Sequence, residues 1–219
     1  MNTDSVNVLR HIDELTKRYP SLSECRQDIE EAFYILKEAY EGGHKLLVAG
    51  NGGSAADAEH IAGEMMKKFR IRRQVPGEFA EKLTAVDPER GRMLAANLEQ
   101  SLTTVPLVTC EAITTAYMND VDAIGVFAQQ LYGFGRCHDV FLGISTSGNS
   151  ENIISACVVA KALDMKVIVL TGAGGGKLAG FADVAIKVPE TETYLIQELH
   201  LPVYHCLCMM LEEQFFKSE

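Results

Sequence analysis

Leu46-Leu47-Val48-Ala49-Gly50-Asn51-Gly52-Gly53-Ser54 sets a short apolar run against a Gly-rich turn, and the residues that follow read as a helix from about Ala55 to Phe69. A run of this length with no polar alternation is the signature of a strand buried on both faces. Strand character returns at 105–108, 140–144, 167–170 and 184–188, with helical stretches between, notably about 121–132 and 150–163. Before the first strand, Ala32, Phe33, Ile35, Leu36 and Ala39 recur at helical spacing and Gly42-Gly43 ends them, so the first 42 residues read as helix. A last helix is expected to begin within 192–202 and to run to about 217. Apolar strands alternating with helices predict an α/β fold: a three-layer, doubly wound parallel sheet, flavodoxin-like, with an N-terminal helix. In such sheets ligands sit beyond the carboxyl ends of the strands. The loops to inspect are therefore 50–54, 145–150 and 171–177.

Bulk composition narrows the function. Of 219 residues, 47% are hydrophobic and 23% charged, an ordinary balance for a packed globular chain. The formal net charge of −10 argues against non-specific nucleic-acid binding, which needs clustered cations. The local exception, Lys67, Lys68, Arg70, Arg72 and Arg73, reads first as a solvated face or partner contact. No apolar run reaches the ~18 residues of a membrane span, and no basic-flanked apolar leader is visible. Six scattered cysteines without a CxxC pair fit reduced thiols and a cytoplasmic location, with Cys206 and Cys208 as small core residues.

The loop after the first strand satisfies a Gly50-x-Gly52-x-x-Ala55 dinucleotide pattern. The acidic residue expected about 20 positions on, to hold a ribose, is absent: 69–73 is Phe-Arg-Ile-Arg-Arg. No nucleotide cofactor is expected. The Gly-rich loop Thr171 to Lys177 fails the P-loop pattern at both ends. A pair of loops reads better. Asn51, Gly52, Gly53 and Ser54 end one strand, and Ser145-Thr146-Ser147-Gly148-Asn149-Ser150 ends another. Both precede helices, whose free N–H groups and dipole favour an anion, and the hydroxyls add donors without fixed charge. Alone, either loop would pass as caps and turns; together they predict a phosphate site. On the helix after the first loop, His60 and Glu64 share a face at i, i+4 spacing, suited to an acid–base pair or to metal chelation. The last helix region carries Gln197, Glu198, His200 and His205 in an apolar stretch.

These segments, taken with Leu170-Thr171-Gly172, resemble the phosphoheptose isomerases, sugar-isomerase (SIS) domain proteins acting on sedoheptulose 7-phosphate. The resemblance covers most of about 25–217. It implies one SIS domain over 1–219, made of a helical segment 1–42 and an α/β core 43–219 that carries a helical insertion at about 70–104. It also implies an aldose–ketose isomerase whose product is D-glycero-D-manno-heptose 7-phosphate, with the hydroxyl loop and Ser54 on the phosphate. The zinc-site positions match His60, Glu64, Gln197 and His205, and the acid–base pair matches Glu64 and His205. Asp120 matches an acidic family position and is a spare candidate base. The substrate is then a phosphorylated ketose, and the assembly a homotetramer with sites built between subunits. The sequence departs from the pattern in the length of 70–104, in Lys68 for a common Arg, in Tyr194 for a common Asp, and in Pro202. A non-catalytic SIS branch that binds a replication initiator lacks the counterparts of Glu64 and His205, which this chain keeps. A sugar-phosphate-sensing transcription regulator would need a DNA-binding domain that the acidic first 40 residues do not supply.

Geometry adds one expectation. Eight residues of unbroken helix separate Gln197 and His205 by ~12 Å along the axis, too far for one metal to hold both comfortably. Either the helix breaks, with Pro202 near its start, or the two ligands come from different chains.

Overall fold

The computed structural model describes residues 3–216. Two helices open the chain, α1 (Thr3–Arg18) and α2 (Arg26–Glu41), with a 3₁₀ turn at Pro20–Cys25 between them. The sequence reading missed this break. Pro20 lacks an N–H and pushes the residue before it out of helical geometry, and Tyr19 sits at φ −128°, ψ 80°. Then follow β1 (Leu46–Gly50), α3 (Gly53–Met66), α4 (Gly77–Val86), α5 (Pro88–Asn97), β2 (Thr104–Pro106), α6 (Glu111–Asp120) and α7 (Val126–Phe134). The chain continues through β3 (Val140–Ile144), α8 (Glu151–Ala162), β4 (Lys166–Gly172) and β5 (Val184–Val188) to α9 (Thr193–Phe216). Helix α6 was not expected. It buries no residue, so it lacks the apolar stripe that periodicity detects.

The five strands are all parallel, in the order β2-β1-β3-β4-β5, which is the flavodoxin-like winding. Each strand divides its side chains between two cores. Leu46, Val48, Leu142, Ile168 and Ile186 face α1, α2 and α9, while Leu47, Ala49, Phe141, Val167 and Val169 face α7 and α8. A sheet covered on both faces has no solvated side to support polar alternation, which is why β1 and β3 read as continuous apolar runs. Gly50 pairs with Ile144, and Ile144 with Leu170, so β1 and β3 end level, β4 runs two residues further to Gly172, and all three release their loops at one edge. The chain reverses its winding direction between β1 and β3, and this switch point opens a crevice there.

The expected insertion is a helical hairpin. Asp87 caps α5 by accepting from the Glu89 and Arg90 amides. A Cβ on Gly91 would fall 2.3 Å from the Leu83 carbonyl, so close packing of α4 on α5 depends on that glycine. A Gln74–Glu99 bridge closes the base. Helix α9 runs for 24 residues straight through Pro202. A helix start near Pro202, one of the two sequence-based options, is therefore overturned. The packing of α9 against α1, α2, α3 and the sheet offsets the missing N–H of the proline.

Candidate active site

The first loop is shaped by glycine. Gly52 stands at φ +57°, a left-handed geometry that side chains disfavour. A Cβ on Gly50 would sit 2.4 Å from the Ser54 carbonyl, and one on Gly53 would sit 2.5 Å from Nε2 of Gln197. The turn thus folds tightly back on β1, and the start of α9 presses Gln197 against it. Ser54 is buried, and its amide bonds the Asn51 carbonyl at 3.0 Å.

In the second loop, Ser145 is buried and its Oγ lies 2.9 Å from Oγ of Ser150. Ser150 is the N-cap of α8 yet makes no side-chain cap bond. Its hydroxyl is turned to Ser145 and not to the first amides of the helix, so the capping explanation for this serine fails. Ser147 Oγ accepts from the Asn149 amide at 3.2 Å, and the Thr146 carbonyl accepts from the Gly172 amide at 3.1 Å. Asn51 and Asn152 exchange two amide hydrogen bonds of 2.9 Å each, joining the two loops across the crevice. The third loop is a buttress. The Leu178 amide donates to the Gly148 carbonyl at 2.9 Å, the Lys177 amide donates to Asn149 Oδ1 at 3.1 Å, and the Lys177 ammonium pairs with Glu151 at 2.7 Å.

One and two turns further along α3, side chains from α3 and α9 converge. Nε2 of His60 lies 3.4 Å from Nε2 of His205 and 3.4 Å from Oε1 of Glu64. The other Glu64 oxygen is buried without a hydrogen-bond partner. Burial, and then the neighbouring His60, hold the His205 imidazole below its ordinary value, with Glu64 pulling the other way. Phe69 packs on the His205 ring at 5.4 Å. A cleft of about 310 Å³, lined in part by Arg18, Phe69, Arg70 and Pro202, opens beside His205.

Two further side chains complete the cluster. Tyr204 Oη donates to Asp57 Oδ1 at 3.2 Å and stands 3.0 Å from Nδ1 of His60. Burial, and then the Asp57 carboxylate, raise the Tyr204 phenol above its ordinary range, so it keeps its proton. With the phenol O–H directed at Asp57, the phenol oxygen is left to accept, and the neutral His60 tautomer that matches it carries its hydrogen on Nδ1. Nε2 then offers a bare lone pair toward Glu64 and His205.

The predicted residues therefore fall into two groups, with two placed apart. Asn51, Gly52, Gly53 and Ser54 follow β1, and Ser145, Thr146, Ser147 and Ser150 follow the neighbouring β3, the two loops being joined by the Asn51–Asn152 bonds. His60, Glu64 and His205 meet one another within one chain, which removes the need to draw these three from different subunits. Gln197 stands two turns before His205, against the first loop. Asp120 ends α6, exposed, with its Oδ1 bonded to Asn119 at 2.8 Å, and among the described residues no hydrogen bond or ion pair brings it to either group. Among the described residues, no three His, Cys, Asp or Glu side chains already form a metal cage. The basic run also needs correction: Arg73 is only 1% exposed and pairs with the buried Glu212. Sequence reasoning missed Asp57, Tyr204, Asn152, Arg73 and Glu212. Asp57 had a signal, since it shares the His60–Glu64 face at i, i+3, i+7.

The SIS domain family matches residues 10–172. The phosphoheptose isomerase of Aneurinibacillus thermoaerophilus is 41% identical over 87% of this chain and 83% of its own length. That of Helicobacter pylori is 35% identical over 94% and 93%. The solved phosphoheptose isomerase from Neisseria gonorrhoeae superposes with a TM-score of 0.72 at 33% identity, covering 94% of this chain and 97% of that one. With the crevice and its two groups of side chains in place, these likenesses agree: the chain belongs to the SIS domain family, on its phosphoheptose isomerase branch.

Proposed function

We propose that this chain, an aldose–ketose isomerase of sugar phosphates, converts sedoheptulose 7-phosphate to D-glycero-D-manno-heptose 7-phosphate. The observation that carries the reading is the meeting of His60 and Glu64, on the helix that starts at the hydroxyl-lined crevice, with His205 of α9. Ser54 and Glu64 are ten residues apart, about 15 Å along α3, and helical side chains lean toward the N-terminus. Such a span suits an extended sugar anchored by its phosphate at one end and reacting at the other.

In this reading Ser54 and the 145–150 loop hold the phosphate. Glu64 takes the proton from C1 and returns it to C2. His205, neutral at physiological pH, donates its N–H proton to the C2 oxygen as that oxygen gains negative charge, and recovers a proton from the C1 hydroxyl as the new carbonyl forms at C1. Zinc fits the donor set. Nε2 of His60 stands 3.4 Å from both Oε1 of Glu64 and Nε2 of His205, imidazole and carboxylate donors of the type zinc takes, and the Tyr204 contact is the kind that orients a ligating imidazole. His60, Glu64 and His205 would hold it, with Gln197 the weaker candidate because of its distance; Glu64 and His205 would then serve as ligands in place of their acid–base roles, since a tight ligand is not also a free base. When bound, zinc would polarise the carbonyl and stabilise the enediolate.

We extend the proposal to a homotetramer acting in the cytoplasm, with the whole chain as one SIS unit. Support comes from free cysteines throughout the described residues and from uncovered apolar side chains such as Val86, 88% exposed, and Val121, 66% exposed. Retention of Glu64 and His205 speaks against the non-catalytic adapter. The deciding experiment is a turnover screen of purified protein against C5 to C7 ketose phosphates, with and without chelator. Turnover confined to the C7 substrate and lost with chelator is expected; no turnover with any sugar phosphate would overturn the reading.

A further inference from the structure

Helix α3 ends by an exchange of partners. An α-helix normally bonds the carbonyl of residue i to the amide of i+4. Here the amide of Lys68, due at the Glu64 carbonyl, donates to Glu99 Oε2 at 2.7 Å. The amide of Phe69, due at Met65, donates to Glu212 Oε1 at 2.7 Å, and that of Arg70 to Glu212 Oε2 at 2.8 Å. Lys67 is extended, so no glycine cap closes the helix. Two of the vacated carbonyls, those of Glu64 and Met65, are taken up by one side chain, and the Met65 carbonyl also accepts from the Leu102 amide at 3.0 Å. Arg73 donates Nη2 to the Glu64 carbonyl at 2.9 Å and Nη1 to the Met65 carbonyl at 2.7 Å. Its guanidinium also meets Glu212 Oε1 at 3.0 and 3.1 Å.

Glu212 lies on α9 seven residues beyond His205, two turns along the same face. The buried pair thus ties the backbone of Glu64 to the helix that carries His205, and through Phe69 it packs an aromatic ring on the His205 imidazole. A buried ion pair is seldom needed for stability, since apolar substitutes often serve as well, whereas a planar fork of donors fixes geometry as no apolar group can.

We propose that Arg73 is a positioning residue that, with Glu212, sets the separation of Glu64 and His205 by clamping the end of α3 to α9. This rests on the isomerase reading for its kinetic consequences only. The test uses R73K, which keeps charge without the fork, and R73M/E212Q, which leaves no unpaired buried charge and retains an acceptor for the Phe69 and Arg70 amides. Both are compared with the parent at equal folded fraction by circular dichroism. The expected result is a kcat lower by at least tenfold, with KM within about threefold because the phosphate loops are untouched. Imidazole carbon–proton resonances supply a readout independent of turnover: those of His60 and His205 are expected to move while those of His44 and His138 stay. A folded variant with unchanged kcat and unchanged ring resonances would overturn the proposal. If the parent itself turns over no sugar phosphate, the isomerase reading falls and the ring resonances alone decide for or against the clamp.

Discussion

The Tyr204 phenol holds Nδ1 of His60 at 3.0 Å and so aims Nε2 of that ring at Glu64 and His205. Tyr204 and His205 are neighbours in sequence, yet one reaches Asp57 and the Nδ1 side of the His60 ring and the other faces its Nε2. Both serve because α9 crosses α3 at this point and its successive side chains flank the His60 ring, with centroids 5.4 and 5.0 Å away.

Removing that hydroxyl is the first prediction. Tyr204→Phe keeps the ring packing and loses the contact that fixes the His60 tautomer. Partners of this kind are worth about 10–100-fold in metal affinity. Competition against a chromophoric chelator is expected to show zinc held at least tenfold more weakly by the variant, with the thermal midpoint of the metal-free protein little changed. Equal affinity would mean that the phenol does not orient the ring.

Much of the fold was open to sequence reading because a parallel sheet buries both faces and announces itself as apolar runs. The elements that escaped lack that signal. Helix α6 buries nothing, and the break at Tyr19-Pro20 lies inside a stretch whose apolar periodicity resumes beyond it. In the site, the hydroxyl loops and the His60–Glu64 pair were legible from residue type and spacing. Arg73 was not, since in a basic run each cation looks equally solvated, and only the fold shows that Glu212 waits for one of them. Nor was the meeting of His60 with His205, which depends on how α9 crosses α3.

The crevice yields a second prediction. Asn152 closes the site by its paired bonds to Asn51, at the first turn of α8. Asn152→Asp puts a negative charge where a phosphate is to sit, and at a few ångströms that repulsion amounts to a few kcal/mol. Calorimetry is expected to give tenfold to a hundredfold weaker binding of sedoheptulose 7-phosphate. Unphosphorylated sedoheptulose is expected to bind the parent at least a thousandfold more weakly than the phosphate, because several charge-assisted bonds of roughly 1.5–3 kcal/mol are lost. Similar affinities for sugar and sugar phosphate would remove the phosphate from these loops.

The third prediction concerns pH. His200 is fully buried on α9, and burial lowers its pKa from 6.5 to about 4; neither ring nitrogen reaches good hydrogen-bond geometry, though the Thr171 backbone lies near enough to oppose the shift. Below pH 6.5 the unfolded chain takes up a proton that the folded chain refuses. The stability tied to this residue is therefore complete above 6.5 and declines as pH falls from 6.5 toward 4. Between pH 7.5 and 4.5 the loss amounts to about 2–3 kcal/mol. Urea unfolding of the parent and of His200→Gln at both pH values isolates it: the variant is expected to lose less stability on acidification by about that amount. Equal losses would show that His200 is not held neutral.

The last prediction tests whether the cluster belongs to one chain. His60 lies 3.4 Å from both Glu64 and His205, and all three sit on α3 and α9 of the same molecule. Glu64→Gln removes the proposed base and is expected to lower kcat at least a hundredfold, the usual scale for such a group. His205→Ala is expected to do the same, with KM for the phosphate-anchored substrate changing far less in either variant. Unfolding the two inactive proteins together and refolding the mixture gives hybrid assemblies. If each site draws its base and its acid from one chain, no hybrid contains an intact pair, and activity is expected to remain at the level of the separate variants. Recovery toward a quarter of the parent activity would instead mean that α3 of one subunit meets α9 of another. It would move the acid–base pair to the subunit interface, against the contacts described above.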